Sequence, residues 1–252
     1  MRLPLVNDVL IAFSLLTRLP VPQADWSDTA RPLARAAWAY PLTGLVVSGI
    51  AVLAATCALW LGLPAIIAAL IFLLCTVMAT GAMHEDGLAD CADGFWGGWE
   101  PARRLEIMKD SAIGTYGVLA LLFSFGARWA LYAELLGNIT WTIGALLVPA
   151  VLSRTMMVCV MQTLPNARAD GLSASTGKPG KVATLIALFI SLISMVLLPL
   201  SAASLLICAT VFAVALLILI ARAKIGGQTG DVLGATQQVS EVVALMALVI
   251  VL

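Results

Sequence analysis

Residues 201–221 read SAASLLICATVFAVALLILIA, without a charge, a glycine or a proline. A helix of about 20 such residues, rising 1.5 Å at each, matches the thickness of a bilayer's hydrocarbon core. No face of this one carries a charge that would turn it toward water. Six more runs of this kind lie at 38–60, 65–83, 114–136, 139–162, 182–199 and 232–252. Breakers separate several of them: Gly62 and Pro64, then Gly137 with Asn138, then Pro199. The expected fold is therefore all-α, a polytopic integral membrane bundle of about seven transmembrane helices. No repeat, linker or low-complexity tract divides it, so residues 1–252 are expected to form a single membrane domain.

Composition agrees. Of 252 residues, 62% are hydrophobic and 11% charged, against roughly 45–50% and 25% in a soluble domain. That is too little polar surface to coat a water-soluble globule. Lys+Arg 14 equals Asp+Glu 14, so there is no basic field of the kind that holds nucleic acid. Cys57, Cys75, Cys91, Cys159 and Cys208 are widely spaced with no C-x-x-C pair and read as small buried hydrophobes.

Positive charge accumulates in cytoplasmic loops, and every loop arginine and lysine falls on one side of this layout. Arg2, Arg18, Arg31 and Arg35 precede the first span, and Arg103, Arg104 and Lys109 follow the second. Arg168, Lys178 and Lys181 follow the fourth, and Arg222 and Lys224 the sixth. The turns of the opposite side carry none. The N-terminus and these loops are expected inside, at the cytoplasmic face of a bacterial inner membrane, with the C-terminus outside. The apolar stretch 5–16 is too short to span and would reverse the charge bias if counted, so it is expected to be interfacial or re-entrant. It lacks a small-x-small cleavage site and is not read as a signal peptide.

The chemistry concentrates in the inside segments. His84-Glu85-Asp86-Gly87-Leu88-Ala89-Asp90-Cys91-Ala92-Asp93-Gly94 holds four acids. If the second span continues past Met83, Asp86, Asp90 and Asp93 share one helical face within about 60°. Three aspartates at a membrane surface suit Mg²⁺ bound together with a substrate pyrophosphate; the plainer alternative is a solvated acidic loop. Gly87 and Gly94 leave room for a ligand to approach the backbone. His84, the sole histidine, reads equally as a base, a ligand or a satisfied helix-end residue.

Residues 100–110, EPARRLEIMKD, form a helix candidate opened by Pro101. Its basic residues suit either phosphate oxygens or anionic lipid. Glu106 and Asp110 repel at i, i+4 unless a cation lies nearby. A third island, GGQTGDVLG at 226–234, reads as an anion nest opening onto a helix or as a glycine turn with Asp231 as its cap. Arg154, inside the fourth span, is costly enough there to be a functional candidate. Arg128 lies nearer the outside and is expected to snorkel beside Tyr132 or Glu134.

Taken together, FSLLTRLPVP at 13–22, the block 84–94, RLEIMKDSAIGT at 104–115 and the block 226–234 resemble the cobalamin synthase family, the adenosylcobinamide-GDP ribazoletransferases. The resemblance runs in motif order over nearly the whole chain. It implies a Mg²⁺-dependent transfer of adenosylcobinamide phosphate from adenosylcobinamide-GDP to α-ribazole or its 5′-phosphate, with release of GMP. On that basis Asp86 and Asp90 are expected to hold the metal, with Asp93 as third ligand or base, and Asp110 and His84 as competing bases. Arg18, Arg103, Arg104, Lys109 and Arg154 are the expected phosphate contacts, and Gln228, Thr229 and Asp231 the residues that close the site. Membrane lipid is an expected partner, as are other enzymes of cobalamin assembly. A second copy of the chain is another, since the glycine-rich stretch 44–49 permits close helix contact. Two positions depart from the pattern. Glu85 replaces a commonly apolar residue and is expected to strengthen the anionic field, and Ala112 replaces a frequent base. A CDP-alcohol phosphotransferase is the nearest rival chemistry, but its D-x-x-D-G-x-x-A-R string does not occur. A secondary transporter would place its site at the bilayer midplane between inverted repeats, whereas these acids gather at one face.

Overall fold

Apolar runs fold as helices in lipid because each backbone N–H and C=O must find its partner within the segment. The computed structural model describes residues 4–24, 33–137 and 142–251. Arg2, Arg31 and Asn138, used above for the charge balance and one turn, lie outside them. The described residues form a helical bundle. α1 (Pro4–Leu16) precedes a 3₁₀ segment, Leu33–Ala39, that runs into α2 (Tyr40–Trp60). α3 (Ala65–Thr80), α4 (Met83–Gly97), α5 (Pro101–Ile107) and α6 (Thr115–Gly137) follow. The second half contains α7 (Thr142–Thr163), the short α8 (Leu172–Thr176), α9 (Gly180–Ser194), α10 (Leu200–Ile225) and α11 (Gly230–Val251).

Six helical stretches are long and apolar enough to cross a membrane. A seventh span appears when α3 and α4, bent by 87° at a two-residue break, are taken together. The second span therefore does not continue straight past Met83, the condition on which the shared face of the aspartates was drawn, and the acids lie on a separate helix. Gly81 and Ala82 both adopt left-handed backbone, φ +66° and +58°, and end α3 with the amide of Ala82 donating to Val77 O at 3.0 Å. α3 holds the apolar part of the broken span. α4, with all four acids, turns away from the direction of α3. α1 is 13 residues long, too short to cross, and is tied down by Trp38 Nε1 donating to Asp8 at 3.0 Å.

α7 and α11 are the centre of the bundle. In α7 83% of the apolar window is buried within the protein, and in α11 61%, against 17% in α6 and 22% in α9 and α10. Outer helices therefore give most of their surface to lipid. α2 packs against α7 where Gly44 leaves no space for a Cβ beside Ala150 O and where Ser48 donates to Leu146 O at 2.7 Å. The close approach expected between copies is thus made at Gly44 within one chain. Among the cysteines Cys91 is buried, while Cys57 and Cys208 face outward, so the buried reading holds in full only for Cys91.

Candidate functional site

α4 and α11 cross at a pair of glycines. A Cβ on Gly87 would strike the backbone of Asp231 and Gly234, and one on Gly234 would meet the backbone of His84. The room that Gly87 leaves is filled by a neighbouring helix, and Gly94 is covered in the same way by Met108 and the Arg104 carbonyl of the α5 region. This approach sets the aspartates of α4 beside the N-terminus of α11. That terminus is capped by Thr229, whose Oγ1 accepts from the Val232 amide at 3.3 Å and donates to Asp231 at 3.0 Å. Asp231, a cap in one of the two sequence readings, is instead the second residue of α11 and lines the site.

A pocket of about 170 Å³ opens here. Each of the four inside segments contributes to it: Leu16 from α1, His84 and Asp86 from α4, Arg168 and Ser173 from the α7–α9 connection, and Asp231 from α11. The last two segments are stitched together by the amide of Gln228 donating to Pro165 O at 2.8 Å and that of Ala167 to Gln228 O at 2.9 Å. Gln228 is buried and serves this seam, its side chain donating to Asn166 and accepting from Ser173.

The electrostatics ask for a cation. Asp86 is exposed to the pocket. On the polar helix α4, burial pushes the Asp90 carboxyl up to about 7, helped by the charges of Asp86, Asp231 and Asp93. Hard carboxylate oxygens crowded in this way are the donors Mg²⁺ prefers. Among the described residues no three of His, Cys, Asp or Glu form a complete ligand set. Mg²⁺ that takes one or two carboxylates and completes its shell from water and substrate phosphate does not require one, so the residues fit the ion.

Asp86, Asp90 and Asp93 share one face of α4 as expected, but Asp93 is already engaged. Both of its oxygens accept backbone amides at the start of α6, Gly114 N at 2.7 Å and Gly117 N at 2.9 Å. Asp110 accepts from the Ala112 amide at 3.0 Å in an exposed turn and does not line the pocket. Of the three candidate bases only His84 lines it, buried, its Nε2 without a hydrogen-bond partner among the described residues.

The expected phosphate contacts are mostly engaged elsewhere. Arg104 donates to Gly98 O at 2.9 Å and to Lys224 O at 2.8 Å, tying α5 to the end of α10. Arg103 pairs with Glu106 on the surface at 3.0 Å and supplies the cation that Glu106 needed. Lys109 pairs with Asp170 at the pocket mouth. Arg18 is exposed and lies over Gly81 at the helix break. Arg154 reaches Glu241 at 3.3 Å, not the inside carboxylates.

Arg128 is the clearest reversal. It does not snorkel: it is 2% exposed and pairs with Glu85 at 3.0 Å. Gln238 also donates to Glu85, at 3.1 Å, and Gln237 and Tyr132 donate to Glu241. Two arginines and two glutamates thus form a neutral cluster among α4, α6, α7 and α11. Glu85 is neutralised there and adds nothing to the anionic field.

Arg168 was not among the expected site residues. It lines the pocket, its Nη2 stands 3.4 Å from Asp231, and its Nη1 is buried without a partner among the described residues. The sequence shows it only as one of several inside charges, with no motif around it.

With this geometry in view, the chain was compared with known proteins. Residues 8–249 match the family model described as cobalamin-5-phosphate synthase. The chain belongs to that family. Curated relatives named adenosylcobinamide-GDP ribazoletransferase include one from Azorhizobium caulinodans, 42% identical over 98% of this chain and 96% of its own. One from Sinorhizobium medicae is 43% identical over 96% and 95%, and one from Bradyrhizobium diazoefficiens 42% over 96% and 92%. No solved structure matches. Two of the blocks on which the family resemblance rested, 84–94 and 226–234, are the segments that cross at Gly87 and Gly234 to build the pocket.

Proposed function

We propose that this protein catalyses the reaction for which its relatives are named. Adenosylcobinamide-GDP donates its adenosylcobinamide-phosphate group to the ribose hydroxyl of α-ribazole or of its 5′-phosphate. The hydroxyl oxygen forms a bond to phosphorus, the bond to the GMP oxygen breaks, and GMP leaves. Such transfer depends on positioning and on neutralising charge more than on covalent help.

The observation that carries this reading is the meeting of Asp86, Asp231, Arg168 and His84 in one pocket. Asp86 and Asp90 would hold Mg²⁺, which when bound supplies charge neutralisation at the pyrophosphate. Arg168 presents its unpartnered Nη1 to a phosphate oxygen, a charge-assisted contact suited to a guanidinium. His84 Nε2, in the tautomer protonated on Nδ1, accepts the proton of the attacking hydroxyl. Asp93 holds the start of α6 against α4. The charge layout supports an inner-membrane location with the pocket open to the cytoplasm.

The test is conversion of adenosylcobinamide-GDP with α-ribazole, with and without its 5′-phosphate, by purified detergent-solubilised protein across a Mg²⁺ titration. GMP and the corrinoid product should appear together and only with metal. Asp86→Asn and Arg168→Gln should each lower kcat/KM by about a hundredfold or more, the scale on which removing one charge-stabilising group acts. An Asp86→Asn protein that is folded and turns over normally at limiting Mg²⁺ would remove Asp86 from the site.

A further inference from the structure

The pocket has two chemically different walls, and the reaction described above uses only one. Polar groups come from Asp86, from the connection carrying Arg168 and from the start of α11. The apolar lining comes from Leu15 and Leu16 of α1, Tyr40 of α2, Met83 of α4, and Met157 and Met161 of α7. Leu16, Tyr40, Met157 and Met161 are each at most 5% exposed, so this wall is an interior surface set by α1, α2 and α7 and not part of the lipid-facing exterior. Size then decides what fits. A dry cavity of about 150 Å³ takes one benzene ring. A pocket of about 170 Å³ is on the scale of a small flat ring system and far below that of a corrin macrocycle.

Resting on the transferase reading, we infer that the apolar wall seats the aromatic base of the acceptor nucleoside. The flat, uncharged bicyclic base of α-ribazole lies against Met157 and Met161, and its ribose hydroxyl emerges toward Asp86 and Arg168. The corrinoid and guanosine portions of the donor remain outside the pocket, at the inside face of the membrane. Methionine is unbranched and polarisable, packs well on aromatic rings and adapts its shape. The wall therefore accepts flat apolar bases of differing outline and rejects charged ones, for which it offers no partner.

Steady-state kinetics on the full-length protein test this. Met83→Trp, which fills the apolar side, should raise KM for α-ribazole about tenfold or more, the scale of lost apolar complementarity, and leave KM for adenosylcobinamide-GDP within twofold. Because a bulky variant can misfold, the unmodified protein is tested as well. Free 5,6-dimethylbenzimidazole should inhibit competitively against α-ribazole and not against the donor. A rise in donor KM with acceptor KM unchanged, or inhibition by the free base competitive with the donor alone, would overturn the inference while leaving the transferase reading intact. If the unmodified protein makes neither GMP nor corrinoid product from intact substrates, the transferase reading itself fails and the inference falls with it.

Discussion

Asp90 would link the acidity of the site to the Mg²⁺ proposed for it. Its carboxyl is raised to about 7, first by burial and then by the neighbouring carboxylates of Asp86, Asp231 and Asp93. Below that pH it carries a proton, and a proton and a cation compete for the same oxygens. The Mg²⁺ concentration for half-maximal GMP release should therefore rise as pH falls from 8 to 6, approaching about tenfold per pH unit below 7. Asp90→Asn should weaken metal dependence overall and flatten this slope. A slope unchanged in that variant would assign the linkage to another group. The same scale shows what single residues conceal. Arg154 reads as functional because charge within a span is expensive, yet its partner is Glu241, 87 positions later. Arg168 reads as an ordinary loop charge, yet it is the guanidinium that faces the pocket. Which cation meets the pocket depends on where packing places its partner, Glu241 in the bundle for Arg154 and Asp231 at the pocket for Arg168, and those pairings join residues far apart in the chain.

Two devices hold α4 in place as an element. At the glycine crossing, Gly234→Val would drive its side chain into the backbone of His84 and part α4 from α11, separating Asp86 and Asp90 from Asp231. Magnesium dependence should then weaken with Arg168 and all the acids still present, checked by the same titration. Deeper in the bundle the Glu85–Arg128 pair links α4 to α6. Removing one member of a buried pair strands the other, at a cost of about 3–5 kcal/mol, whereas replacing both with apolar residues is often neutral. Glu85→Leu should accordingly lower the thermal midpoint in detergent sharply, and Glu85→Leu with Arg128→Met should restore most of it. Equal midpoints for the single variant and the parent would show that the pair contributes no stability. At this scale the seven apolar runs and the helix opened by Pro101 were legible, because each follows from local hydropathy or backbone chemistry. The break at Gly81 and Ala82 was not. Left-handed backbone at an alanine carries no local signal and persists because the packing around it requires it.

At the scale of the whole molecule, the charge layout assigns the polar segments to one side of the membrane and the short uncharged turns to the other. A reporter fused after residue 62 should lie on the opposite side of the membrane from one fused after residue 178, and a C-terminal fusion should share the side of residue 62. Alkaline phosphatase and fluorescent-protein fusions distinguish the two sides, and a shared side for residues 62 and 178 would refute the layout. Hydropathy alone determined the fold class and the number of spans, because insertion into lipid is governed by the local free energy of each segment. The acids and the glycine block were visible as motifs for the same reason: they are strings. Only the tertiary structure decided how these strings are used. It bent α4 by 87°, turned Asp93 to the amides of α6, buried Arg128 and Arg154 in a neutral cluster and left Arg168 facing the pocket. These outcomes depend on the high cost of an unpaired charge or an unsatisfied amide away from water, and the partners that satisfy them become neighbours only once the helices have packed.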